Sequence, residues 1–264
     1  MALTHTHGQD GILRITLDRP QRLNAFDRQM AIGFAEAAAA AAAPGVRGVL
    51  IAGNGPAFCA GGDVVAMATA TGSGAELTRL AHTINGGLTS MLESNVPVVA
   101  AAHGTTAGGG LGVLLASDYA VVGADSRIGA RYASIGLTPD LSVTALLGSA
   151  VGERRALQLL LSDTMLTARQ ALEWGLVAEV VGTAEMEPAE IAAAVRARAE
   201  EIAQEWASGA SSAYGNAKRL VRSLRTRTLA EQFEEEARSI GAAFDTEDAQ
   251  ARIHAFAART GARP

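Results

Sequence analysis

The sequence predicts an α/β fold closed by an all-helical C-terminal region. Three observations carry this. Short apolar strands such as Gly48–Ala52 and Val96–Ala102 alternate with longer helical stretches, the signature of a sheet covered by helices. Glycine-rich turns follow two of these strands. From residue 186 onward only helical periodicity remains.

The elements follow in order. Ile12–Leu17 (ILRITL) alternates apolar and polar residues and reads as a strand that Asp18-Arg19-Pro20 ends. Residues 27–43 are alanine-rich and helical, stopped by Pro44-Gly45. Gly48–Ala52 is a buried strand, Gly53–Pro56 a turn, and Asp63 is placed to cap a following helix. Residues 75–92 read as a helix and 96–102 as a second buried strand. An apolar helix from about Leu111 follows, then strands at 119–122 and 126–130. Helices are expected at 141–150, 153–161, 167–173, 188–206, 211–224, 229–243 and 246–259. The division is therefore a core over 1–187 and a helical region over 188–264 serving subunit contact or active-site cover.

Composition narrows the classes. The chain has 264 residues, 48% of them hydrophobic and 19% charged, enough to bury a sizeable core. A net charge of −5 disfavours nucleic acid as the main partner, because phosphate binding needs positive surface. Cys59 is the single cysteine, so no intrachain disulfide forms, and no Cys/His metal spacing occurs. A reducing, cytoplasmic setting is expected. The N-terminus lacks the basic and apolar regions of a signal peptide, and His103 and Asp118 interrupt the most apolar stretch, so no membrane span is expected.

Two glycine-bearing segments, FCAGGD (58–63) and HGTTAGGG (103–110), each run from an apolar strand towards a helix. Glycine permits sharp turns and close approach. The free N–H groups and partial positive charge of a helix start favour an anionic atom. Two such sites facing each other would hold one oxygen between backbone donors, each worth roughly 3–4 kcal/mol in a transition state. Taken singly, each segment equally suits a plain strand-to-helix turn. Neither a dinucleotide fingerprint nor a phosphate-binding loop is present.

The chain resembles the crotonase superfamily, also called the enoyl-CoA hydratase/isomerase family. The resemblance runs through LDRPQRLNAFD (17–27), GNGPAFCAGGD (53–63), residues 97–129, SIGLTPD (134–140), ALQLLLSDTMLTARQALEWGLVAEVV (156–181) and DTEDAQARIHAFAART (245–260). It implies a spiral of β-β-α turns with a C-terminal helical trimerisation region, assembled as a homotrimer or dimer of trimers. It implies an acyl-CoA substrate whose thioester oxyanion is held by the N–H groups of Ala60 and Gly109, with no metal or redox cofactor. Substrate contacts are implied for Arg22, Leu23 and Ala25, for Phe58, Gly61, Gly62, Asp63 and Val64, and for Gly108, Gly112 and Tyr132.

The two glutamates that activate water in the family's hydratases fall at Gly112 and Tyr132, so both carboxylates are missing. Small Gly112 beside Tyr132 suggests a roomy or aromatic pocket. Asp140 remains. Locally, Pro139-Asp140 before LSVTALL reads as a helix cap. The resemblance instead aligns Asp140 with the acid–base group of ring-opening and double-bond isomerases and with the nucleophile of 4-chlorobenzoyl-CoA dehalogenases. A single carboxylate suits a proton shuttle, and an apolar pocket would raise its pKa. The dehalogenase histidine falls at Asn85, with His82 one turn away, so isomerisation ranks above hydration and dehalogenation. A non-catalytic acyl-CoA-binding or RNA-associated protein is the alternative from another class.

Other residues carry plainer expectations. His5 and His7 lie on a frayed terminus, His103 positions a turn, Cys59 is a buried small residue, and Asp118 and Asp125 are structural. Lys218, Arg222 and Arg225 share one face of a basic run, either solvated or, for Lys218 in particular, contacting CoA phosphates.

Overall fold

A computed structural model describes residues 2–70 and 72–260. The chain opens with β1 (Leu3–His7) and β2 (Ile12–Leu17), then α1 (Arg28–Ala39), β3 (Gly48–Gly53) and β4 (Ala57–Cys59). Helices α2 (Val64–Thr69) and α3 (Gly74–Glu93) lead to β5 (Val98–Ala102), β6 (Thr105–Ala107) and α4 (Gly109–Ala116). Next come β7 (Tyr119–Gly123), β8 (Arg127–Gly129), α5 (Val143–Val151), α6 (Glu153–Leu160), β9 (Leu166–Thr167), α7 (Ala168–Glu173) and β10 (Glu179–Val181). The chain closes with α8 (Pro188–Ser208), α9 (Ser211–Ser223), α10 (Leu229–Phe244) and α11 (Glu247–Arg259).

Among the described residues ten strands form two sheets, a six-stranded sheet in the order β1-β2-β3-β5-β7-β10 and a four-stranded sheet in the order β4-β6-β8-β9. Each turn of the chain lays one strand in the large sheet, the next in the small one, and then returns through helix. The pairs β3–β4, β5–β6 and β7–β8 repeat this step, and neighbours from successive turns pair in parallel. The expected β-β-α spiral is therefore the architecture.

The central strands are buried on both faces, and their period of two divides the core. Val49 and Ile51 of β3, with Val98 and Ala100 of β5, join the main cluster with Phe34, Leu88 and Met91 of the helices. The alternate residues Leu50, Ala52, Val99 and Ala101 meet Ile191, Val195, Ala199 and Ile202 of α8. Helix α8 is thus a layer of the core, and residue 188 is not a boundary between independent units. Its start is secured by Pro188 and a capping box between Glu187 and Glu190.

One end differs from expectation. His5 and His7 belong to β1, which pairs antiparallel with β2 from Leu3↔Leu17 to His7↔Leu13. Only Leu3 of this strand is buried, so its polar outer residues hide it as an edge strand. No helix among the described residues is long and apolar enough to cross a membrane.

Candidate active site

The two glycine segments meet. A Cβ on Gly61 would lie 3.2 Å from the Gly109 nitrogen and 2.9 Å from the Ala107 carbonyl oxygen. Gly61 sits at φ +103°, where a side chain would also be strained. A Cβ on Gly110 would lie 2.1 Å from the Cys59 carbonyl oxygen, so α4 is pressed directly on β4. Glycine is a steric requirement of this junction. Gly109 is the first residue of α4, where an N–H has no partner within the helix.

The backbone bonds correct one donor. The Ala60 N–H already donates to the Leu23 carbonyl at 2.9 Å. The bonds around Gly62 use its neighbours instead: Phe26 N–H donates to the Gly61 carbonyl at 2.7 Å and Asp63 N–H to the Phe26 carbonyl at 2.9 Å. Among the described residues the N–H of Gly62 has no such partner. Ala60 therefore supports the turn; of the glycine-segment residues that line the adjacent pocket, Gly62 and Gly109 have backbone N–H groups with no partner among the described residues.

A pocket of about 430 Å³ opens beside them. Its lining includes Ala60, Gly62, Val64, Gly108, Gly109, Tyr132 and Asp140 from the expected set. Missed by sequence reasoning were Met67 of α2 and Leu77, Thr78, Ala81 and Ile84 of α3. The i, i+4, i+7 spacing of Leu77, Ala81 and Ile84 was the available signal. Ile135, Leu137 and Leu141 complete an apolar wall. A cleft of about 540 Å³ among α9, α10 and α11 shares no residue with this pocket.

Asp140 is the only carboxylate among the described lining residues. The Tyr132 hydroxyl donates to its Oδ1 at 2.8 Å. Desolvation by the pocket walls raises the Asp140 pKa, although the Tyr132 bond and Asp140's own backbone N–H favour the charged form. Burial, followed by the neighbouring carboxylate, pushes the Tyr132 phenol up, so it stays protonated as a donor. Asp140 is not a helix cap: α5 starts after Ser142, and Asp140 offers only its carbonyl to Val143 N–H.

The backbone around the site is strained. Left-handed φ values at non-glycine residues occur, among the described residues, at Leu23, Asn24, Arg131, Leu141 and Ser142. All five lie in segments bordering the pocket or bonded to it, and each such conformation costs on the order of 1–3 kcal/mol. Buried Asn24 fixes one of these segments by donating to the carbonyls of Asn54 and Ala57 and accepting from Arg19 N–H at 2.7 Å.

Several expected contacts are structural instead. Gly112 does not widen the pocket, because a Cβ there would stand 2.0 Å from the Leu141 carbonyl oxygen. Phe58 is fully buried in the core. Asp63 caps α2 through Ala66 N–H at 3.0 Å and pairs with Arg19 at 3.0 Å. Burial opposes its charge, but the Ala66 amide and Arg19 prevail and hold its pKa below the usual range. Arg22 and Leu23 remain exposed, and the Ala25 carbonyl accepts from Arg19.

Lys218 is the clearest correction. It is 7% exposed and donates to the Met91 and Val96 carbonyls, both at 2.7 Å. Its ammonium also lies 3.0 Å from Asp118, which Arg222 pairs from the other side at 2.9 Å. No solvated cationic face exists at Lys218. The side chain of Arg225 lies outside the described residues. His103 is buried with Nε2 2.7 Å from the Gly55 carbonyl oxygen, a structural contact as expected. The Cys59 thiol is buried, pushed up to about 12 by desolvation, and bonded to the Asn24 carbonyl at 3.1 Å. No cluster of three or more potential metal ligands occurs among the described residues.

The model of the enoyl-CoA hydratase/isomerase family matches residues 7–262. The chain belongs to that family. Among its relatives, the 1,2-epoxyphenylacetyl-CoA isomerase of Escherichia coli is 28% identical, over 87% of this chain and 85% of the relative. A Thermus thermophilus protein designated an enoyl-CoA hydratase is 34% identical, over 72% of this chain and 74% of its own. The solved enoyl-CoA hydratase of Polaromonas superposes with a TM-score of 0.87 at 25% identity, covering 98% of each chain. Both isomerase and hydratase names thus occur among the family members similar to this chain.

Proposed function

We propose that the protein isomerises an acyl-CoA, moving a double bond or opening a strained ring, with Asp140 carrying the proton. The observation supporting this is that Asp140 is, among the described residues, the single carboxylate lining the pocket that abuts the glycine junction. The backbone N–H groups of Gly62 and Gly109 hold the thioester oxygen as it gains charge. Asp140 takes a proton from the carbon flanking the double bond, and the electrons move to that oxygen as a dienolate. Returning the same proton at the other end of the system completes the shift, with no water consumed. The raised pKa of Asp140 suits both halves, since the same group must accept and then donate.

Hydration needs an activated water, and the positions of the hydratase carboxylates are occupied by Gly112 and Tyr132. A side chain at Gly112 would collide with Leu141, which argues further against that mechanism. Aryl-ester hydrolysis lacks its base, because Asn85 stands where the dehalogenase histidine falls. Coenzyme A enters as part of the substrate, and no other cofactor is required. Subunits associate through the C-terminal helices as a homotrimer or dimer of trimers. Asp140→Asn is expected to lower turnover of a β,γ-unsaturated hexenoyl-CoA at least a hundredfold while binding persists. Turnover near that of the parent protein would remove Asp140 from the mechanism.

A further inference from the structure

We propose that Tyr132 is the positioning residue of Asp140: its phenol grips one carboxylate oxygen and leaves the other to exchange the proton with substrate. This rests on Asp140 being the proton carrier. The hydroxyl lies 2.8 Å from Oδ1 and 3.5 Å from the Asp140 carbonyl oxygen, so it spans the carboxylate and its own backbone. Oδ2 has no side-chain hydrogen-bond donor among the described residues. A carboxylate with one oxygen fixed presents the other in a defined orientation, which proton transfer at two carbons requires. The donor is itself rigid. Tyr132 is 8% exposed and stands just before a turn of 3-10 helix over Ala133–Ile135. Its preceding residue, Arg131, is held at φ +58°, which sets the direction in which the ring enters the pocket.

Besides desolvation, Tyr132 is the main influence on the charge of Asp140. Helices α2 and α3 face it with Met67, Leu77, Thr78 and Ile84, none of which ionises. From α4 comes Gly109, and from the segment before α5 come Leu137, Thr138 and Leu141, none of which ionises. Arg131 is the other charged lining residue, and its guanidinium donates outward to the Asp163 carbonyl at 3.3 Å. The buried Cys59 thiol, pushed up to about 12, is neutral at physiological pH. The tyrosine hydroxyl favours the carboxylate against desolvation. During the cycle the phenol keeps its own proton; the proton that moves goes from substrate carbon to Oδ2 and back.

The test is Tyr132→Phe, which preserves the ring and removes only the donor. With β,γ-unsaturated hexenoyl-CoA, kcat is expected to fall about tenfold, and KM to stay within about threefold. The acid limb of the kcat/KM profile is expected to move to higher pH, because the charged form has lost its stabilising donor. In an Asp140→Asn background the same change is expected to have no further effect. Thermal unfolding and acyl-CoA binding of both variants establish that the fold is retained. An acid limb that stays in place, or losses that multiply in the double variant, would overturn the positioning role. Full turnover by Asp140→Asn alone would instead overturn the underlying assignment of Asp140.

Discussion

At the residue scale, the chemistry rests on a few groups whose surroundings differ more than their types. Asp140 and Asp63 are both carboxylates near the pocket, yet burial raises the first while hydrogen bonds and Arg19 lower the second. The acid limb of kcat/KM is therefore expected above the ordinary carboxylate range, since the basic form of Asp140 is lost as pH falls through a raised pKa. The same shift has a stability consequence. A carboxyl whose folded pKa is raised contributes most below its unfolded pKa and loses that contribution as pH rises through the folded pKa. Asp140→Asn should thus melt higher than the parent at neutral pH, as differential scanning calorimetry can show, and a lower melting temperature would contradict this. Lys218→Met is expected to destabilise the fold by about 2 kcal/mol in urea unfolding, because the Met91 and Val96 carbonyls lose their charged donor and Asp118 loses one of its two cations. Acyl-CoA affinity should be unchanged; a marked loss would restore Lys218 as a ligand contact. The clamp was hidden from the sequence because it depends on carbonyls more than a hundred positions away. Asp140 stood out only through the resemblance of SIGLTPD; its local reading as a helix cap does not hold, because α5 starts after Ser142.

At the element scale, long periodic segments were the legible ones. The helix expected over 75–92 spans Gly74–Glu93, and that over 211–224 spans Ser211–Ser223. The three-residue strands Ala57–Cys59 and Thr105–Ala107 were missed, because three residues cannot display a period and both lie beside glycine turns. The glycine motifs were legible as turns, but which N–H stays free was not. That depends on the Leu23 segment docking against Ala60, a tertiary event. Helix α4 meets the loop before α5 through Gly112, whose missing Cβ is filled by the Leu141 carbonyl. Gly112→Ala is expected to cost about 1–3 kcal/mol in chemical denaturation, and Gly112→Glu to yield no hydratase activity. A stable Gly112→Glu protein that hydrates an α,β-enoyl-CoA would contradict the packing described.

At the scale of the whole molecule, the two-sheet spiral and α8 share one core, whereas α9–α11 carry exposed apolar side chains. Val221 and Ile240 are each 73% exposed, and Phe233 and Phe256 are 60% and 62% exposed. Phe233 and Ile240 line one shallow apolar surface, of the kind that interaction sites use. Light scattering is expected to give three or six times the chain mass, and Phe233→Glu with Ile240→Glu to lower it; a monodisperse monomer of the parent protein would contradict assembly through these helices. The central claim concerns the chemistry at Asp140. Its most direct test is NMR of β,γ-unsaturated hexenoyl-CoA incubated with the protein in heavy water. Conjugated α,β-enoyl-CoA, retaining part of the transferred proton and formed by the parent protein but not by Asp140→Asn, is the predicted result. Accumulation of 3-hydroxyacyl-CoA without prior proton transfer between the carbons would show a hydratase and contradict it.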